Sequence, residues 1–147
     1  MSFNYLGSES AAVVAVIDPD VTAASTVNSD GVDMSLYDNV SFILCAGTLG
    51  SNATLDMAVK SGSDNSTFGT TVKSSTQMTQ AGTDASDKQA VVNISAQDLT
   101  EGDRYVRAEV TVGTATSDVG MVAIGFNPKH APASDNDLSS FDEILSS

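Results

Sequence analysis

Apolar positions recur along this chain with a period of two, in short runs separated by polar, turn-forming residues. The clearest pair of runs lies between Arg104 and Phe126. Val106, Ala108, Val110 and Val112 alternate there with Tyr105, Arg107, Glu109 and Thr111. That spacing puts small apolar side chains on one face of a strand and polar ones on the other. Gly113 to Asp118 is rich in Gly, Thr and Ser, as a hairpin connection should be. The second run, Val119 to Phe126, departs from simple alternation. Its two sets, Val119/Met121/Ala123 and Gly120/Val122/Ile124/Phe126, are both nearly free of polar groups. A strand apolar on both faces has to be covered on both. One cover is the chain's own core, and the other can be a second polypeptide.

The remaining runs are shorter. Ala11 to Ile17 reads as a valine-rich strand closed by Asp18-Pro19-Asp20. Val21 to Asp30 reads as a polar connection. Val32, Met34 and Leu36 alternate with Asp33 and Ser35, and Tyr37-Asp38-Asn39 then turns the chain. Val40 to Ala46 is the most hydrophobic strand, with Phe42 and Leu44 on one face. Thr54 to Lys60 points Leu55, Met57 and Val59 inward and Asp56 and Lys60 outward. Ser61 to Thr67 has the composition of a hairpin loop, and Phe68 opens a weaker strand to about Lys73. Ser74 to Lys88 is polar and predicts a long, mobile loop. Strand character returns in Gln89 to Ser95 through Val91, Val92 and Ile94. No helical period of useful length intervenes, so the pattern predicts an antiparallel sandwich or barrel. Leu99 precedes Tyr105 by six positions, the spacing of a tyrosine corner, in which the phenol hydrogen-bonds the backbone upstream.

Both ends differ from the middle. Residues 1–10 read as an extended N-terminal arm with Phe3, Tyr5 and Leu6 as isolated apolar anchors. Residues 131–147 read as an acidic C-terminal tail. Leu138, Phe141, Ile144 and Leu145 fall there at helical spacing, with Ser134 or Asp135 as N-cap. A helix of about ten residues is not stable alone in water, so this stripe either stays disordered or docks on something.

Composition narrows the function. The chain has 147 residues, enough for one domain that buries roughly 68–70% of its unfolded surface. Cys45 is the only cysteine, which excludes an intrachain disulfide, and its apolar surroundings predict a buried, inert thiol. Six basic residues face nineteen acidic ones, for a net charge of −13, and no Lys or Arg precedes Lys60. Such a surface repels phosphate backbones and anionic lipid heads, so no nucleic-acid and no membrane partner is expected. The N-terminus lacks a basic n-region and no run approaches the ~20 residues of a membrane span. The protein is therefore expected to be made in a cytosol and to stay soluble.

Catalytic signatures are missing. His130 is the only histidine, so neither a hydrolytic triad nor a His-Cys zinc site is readily assembled. There is no G-x-S-x-G elbow and no Gly-rich phosphate loop. Asp135-Asn136-Asp137-Leu138-Ser139 begins like a calcium loop but lacks the glycine and the closing glutamate of an EF-hand. The absence of Trp weighs against sugar stacking. No enzyme activity, cofactor or metal is expected.

Three stretches carry a family resemblance. They are Tyr37-Asp38-Asn39-Val40 leading into an apolar strand, the Ser63-Asp64-Asn65-Ser66-Thr67-Phe68 hairpin, and Arg104-Tyr105-Val106-Arg107-Ala108 with its continuation Val112-Gly113-Thr114-Ala115. Over roughly residues 11–130 the chain resembles the small cement, or decoration, proteins that coat the capsids of tailed bacteriophages, of the jelly-roll type. The resemblance implies a structural protein on the outer surface of the virion, made in the host cytoplasm. It implies binding to the major capsid protein, bridging of its neighbours, and self-association as a dimer or trimer. The expected fold is a single antiparallel β-sandwich, jelly-roll or Ig-like Greek key, over residues 11–130. Val119, Met121, Ala123 and Phe126 are the expected self-association residues. Phe3, Tyr5 and Leu6, with Phe141 and Ile144, are the expected capsid contacts. A tail or head-fibre component, or a receptor- or sugar-binding sandwich, is the alternative reading.

Overall fold

The computed structural model describes residues 6–133 and 136–145. A four-residue helix, α1 (Gly7–Ser10), precedes ten strands: β1 (Ala11–Thr22), β2 (Ser25–Asn28), β3 (Val32–Asp33), β4 (Tyr37–Ala46), β5 (Thr54–Gly62), β6 (Thr70–Ser74), β7 (Met78–Thr79), β8 (Gln89–Ser95), β9 (Tyr105–Gly113) and β10 (Ser117–Pro128). They form two antiparallel sheets. Sheet A has the order β1-β10-β4-β8. Sheet B has β9 and β5 at its centre, with β2 and β3 in tandem on one edge and β6 and β7 in tandem on the other.

The pairings are nested. The first strand pairs with the last, β2 with β9, β4 with β8, and β5 with β6. That nesting is the jelly-roll form of the sandwich rather than the immunoglobulin-like order. The two inner faces supply the core. From sheet A come Val40, Phe42, Leu44, Val92, Ile94, Val119, Met121 and Ala123; from sheet B come Leu55, Met57, Val59, Val106, Ala108 and Val110. Each alternates with an outward residue, so the period of two in the sequence becomes the thickness of the sandwich.

Several elements differ from the sequence pattern. β1 does not stop at Asp18-Pro19-Asp20 but runs through it to Thr22. Its register against β10 shifts between Ile17 and Asp20, so that two residues oppose Gly120. Proline lacks an N–H and is tolerated at such a bulge on an edge strand. The supposed connection 21–30 contains β2. Tyr37-Asp38-Asn39 begins a strand instead of turning, and Tyr37 is a core residue, 1% exposed. Its ring lies over Gly125, where a Cβ would approach Cγ and Cδ1 to 2.8 Å. Phe68 lies outside β6 and is buried, with Arg107 over its ring and Gly31 against its edge. Segment 74–88 is tied down by β7 and by backbone bonds such as Gln80 N–H to Ala53 C=O and Asp87 N–H to Gly47 C=O.

Two side-chain expectations fail, the burial of Cys45 and the corner hydrogen bond of Tyr105. Cys45 is exposed, not buried, because Val40, Phe42, Leu44 and Ala46 take the inward positions of β4. Tyr105 lies on the outer face of sheet B beside Arg104, whose guanidinium sits 5.2 Å from the ring centre. No hydrogen bond from its phenol to the backbone is found among the described residues, so there is no tyrosine corner. The alternation that buries Val106 forces Tyr105 outward.

Candidate interaction surface

Residues paired across a sheet share a face, so the register assigns every outward side chain. On sheet A three rows run across β1, β10, β4 and β8. They are Ala11–Phe126–Asn39–Ser95, Val13–Ile124–Ser41–Asn93 and Val16–Val122–Ile43–Val91. A fourth, Gly120–Cys45–Gln89, follows, with Pro19 packed over Gly120. No position in these rows carries a charge, in a chain of net charge −13. Val91 is 56% exposed and Phe126 39%, while Val16, Ile43, Val122 and Ile124 are half-buried by their neighbours. Acidic residues stand at the two ends of the face, Asp118 beside Val21 at one and Glu143 of the tail in the groove against Ile124 and Phe126 at the other.

The outer face of sheet B has the opposite chemistry. Lys60 and Arg107 lie side by side there, and Glu109 accepts from both, at 2.7 and 2.6 Å. Burial works to raise the Glu109 pKa, but these two cations outweigh it and hold the carboxyl below its usual range. The Thr26 and Thr111 hydroxyls are 2.9 Å apart, and Gln77 donates to Asp56 at 2.8 Å. The Arg107 guanidinium lies 4.6 Å from the Phe68 ring centre. Apart from the buried Arg107 Nε, the polar groups named on this face pair with one another. The sheet A face is mainly apolar, and its one internal polar pair among the described residues is Ser41 Oγ donating to Asn93 Oδ1 at 2.6 Å. Among the described residues no three His, Cys, Asp or Glu side chains converge as metal ligands, and no helix is long and apolar enough to cross a membrane.

The expected site residues divide accordingly. Val119, Met121 and Ala123 point into the core, at 2%, 1% and 0% exposure, so their side chains are unavailable to a second copy. Phe126 belongs to the other set of β10 and lies on the outer face. The surface residues of β10 are therefore Val122, Ile124 and Phe126. Both sets are apolar, and composition alone could not say which one faced inward. The pairing with Val13, Val16, Ser41 and Ile43 decides it.

Phe3 and Tyr5 lie outside the described residues. Leu6 is 40% exposed at the start of α1. The tail does not form the expected helix over its described part, 136–145, which holds a single 3-10 turn, Leu138–Ser140. It packs back on its own domain. Ala133 N–H donates to Glu9 C=O at 2.7 Å, Val13 N–H to Asn136 Oδ1 at 3.2 Å, and Asp137 N–H to Val13 C=O at 2.8 Å. Phe141 and Ile144 then line a groove of about 420 Å³ with Val13, Ile124 and Phe126. These two residues, expected to reach a capsid, here cover one corner of the sheet A face. The unpaired polar groups of an edge strand need such a cover, and Asn136 supplies it at Val13.

No family model matches the chain, and no curated protein matches it. Among solved structures, a chain in the structure of infectious bursal disease virus Gt strain is similar, with a TM-score of 0.48 and 12% identity over 83% of this chain and 33% of that one. A chain of the Gx strain structure is similar with a TM-score of 0.44 and 11% identity, over 83% of this chain and 32% of that one. The present chain spans about a third of the length of these two chains.

Proposed function

We propose that this chain is a structural virion protein that binds the outer surface of a phage capsid, bridges neighbouring major capsid proteins and stabilises the shell. One observation carries the reading: an uncharged, largely apolar outer face on sheet A, in an otherwise strongly acidic molecule. Surface of this kind is a docking feature. The acidic remainder disfavours the DNA-filled interior of a head and leaves the exterior open. Its partners on this reading are the major capsid protein and further copies of itself, with neither nucleic acid nor membrane. The work is adhesive and not catalytic. Weak contacts repeated over a closed lattice add through avidity, so no single contact has to be tight.

The test mixes purified protein with undecorated capsids. Wild type is expected to co-sediment and to raise their bursting temperature. Val122→Glu places a charge in the middle of the uncharged rows and is expected to abolish both effects while keeping the β-sheet circular dichroism. A bulky maleimide on the exposed Cys45 should act likewise. Capsids that ignore the wild-type protein, or that bind Val122→Glu equally well, would refute the proposal.

A further inference from the structure

The two sheets have four edges, and three are guarded. β1 carries two register shifts, Pro19 and the tail's bonds at Val13. The β2/β3 edge is cut into pieces of four and two residues, and the β6/β7 edge into pieces of five and two. Bulges, proline and short strands are the usual means of blocking edge pairing. β8 has none of them. It is seven residues long, Gln89–Ser95, with no Gly, Pro or charged residue and an unbroken register against β4, its one partner in the sheet.

The direction of its free groups follows from three bonds. Lys88 C=O accepts from Ala46 on the β4 side. Asn93 C=O accepts from Lys73 Nζ at 3.0 Å, and Ser95 N–H donates to Asp98 Oδ2 at 2.8 Å, both on the far side. Alternation then turns the N–H and C=O of Val91, and the N–H of Asn93, out along the edge. A groove of about 950 Å³ runs beside them, between β8 and segment 73–79.

We propose that β8 is a seam between two copies of this chain, pairing antiparallel with its counterpart about a two-fold axis at Val91. The two four-stranded sheets then become one sheet of eight strands. Val91 meets Val91, and each Gln89 faces Asn93 of the other copy. The row Val16–Val122–Ile43–Val91 continues without a break into the same row reversed. A second copy is the occupant because the seam is self-complementary and uncharged. Two chains of net charge −13 repel wherever their acidic surfaces meet. The paired stretch 89–93 carries no acid, while Asp98, beside Ser95 on the same edge, is already neutralised by Lys73. A two-fold contact closes on itself and ends at a dimer. The inference concerns the free protein and stands or falls independently of capsid binding.

The test uses the full chain without capsids. Light scattering across a concentration series is expected to show a species of twice the 15.1 kDa chain mass. On passing from monomer to dimer, the amides of Val91 and Asn93 should exchange with solvent about tenfold more slowly or better, as newly hydrogen-bonded groups do. Val91→Pro removes an N–H that points away from β4, so it should leave the fold intact and the protein monomeric. Four results would each overturn the seam: a monomer up to millimolar concentration, a trimer as the smallest assembly, a dimer with fast exchange at both amides, or a Val91→Pro protein that still dimerises. If Val91→Pro does not fold, the exchange measurement on wild type decides.

Discussion

Thr114 is held in a conformation that its branched side chain resists. Its φ is +70°, and Ala115 N–H closes back on Gly113 C=O at 2.8 Å, which makes a three-residue turn between β9 and β10. A γ-turn of this sign is rare and strained, and a non-glycine residue there stores roughly 1–3 kcal/mol. Thr114→Gly relieves that strain and returns roughly 0.5–1 kcal/mol of it as unfolded-chain entropy. The variant should gain about 1 kcal/mol, read as a higher midpoint in chemical denaturation. A loss would show that the hydroxyl or methyl of Thr114 does more than the backbone suggests. Asp33 sets a pH dependence. Its carboxylate accepts from Arg104 Nε and Nη2 at 2.8 and 2.5 Å, and the hydrogen bond from Arg104 is the main reason its pKa falls from 3.8 to about 2. A folded-state pKa below the unfolded one gives stability that is fully present above pH 3.8 and disappears as the pH drops through about 2. Asp33→Asn should therefore melt earlier than wild type at pH 5–7, and the gap should narrow towards pH 2 and close below it. A gap that is constant with pH would mean the charge is irrelevant.

The strands whose two faces differ in polarity could be read from the sequence, and the others could not. β5 and β9 alternate strictly, and their inward sets follow from the sequence because a one-residue slip would bury Lys60 or Arg107. The valines and isoleucine of β8 bound it to the residue, Gln89–Ser95. β10 resisted because both of its sets are apolar, so Val119, Met121 and Ala123 could be taken for surface and Val122 and Ile124 for core. Tyr37 is hard to read as core for a related reason. Asp38 and Asn39 look like turn formers, but they face outward on a strand whose next inward residue is Val40. The tail was the least readable element, because its partner, Val13 on β1, lies more than a hundred residues away. Deleting 134–147 would strip two hydrogen bonds from Val13 and bare Ile124 and Phe126. The truncated chain should lose about 1–3 kcal/mol, the sum of those bonds and the uncovered apolar surface, and should scatter more light on storage. A wild-type midpoint for the truncation would mean that these contacts contribute nothing. The same edge logic applies at β8. Lys73, held at 2.7 Å by Asp98, places its ammonium on the Asn93 carbonyl that a pairing strand would need. Lys73→Ala should free that carbonyl in both copies and shift self-association to lower concentration, about fivefold to a hundredfold, the worth of two neutral hydrogen bonds per dimer.

At the scale of the whole molecule, a long-range effect and a short-range one oppose each other. Charge acts over the entire surface, with a net −13 that drives copies apart. The uncharged rows of sheet A and the edge of β8 act only at contact. The ion pair on that edge, Lys73–Asp98, lies within a single copy, so no attraction between opposite charges spans the seam. Their balance should therefore be set by ionic strength. The Debye length is about 30 Å at 0.01 M salt and about 8 Å at 0.15 M. In dilute buffer, repulsion between two such bodies begins before any strand can pair. At physiological salt it reaches no further than the acids at the rim. Self-association should accordingly strengthen as sodium chloride rises from 0.01 to 0.15 M and then level off, because nothing in the seam remains to be screened. Sedimentation equilibrium at three salt concentrations measures this directly. Assembly that weakens with added salt would require attraction between opposite charges, and a strand reading Gln-Ala-Val-Val-Asn-Ile-Ser has none to offer.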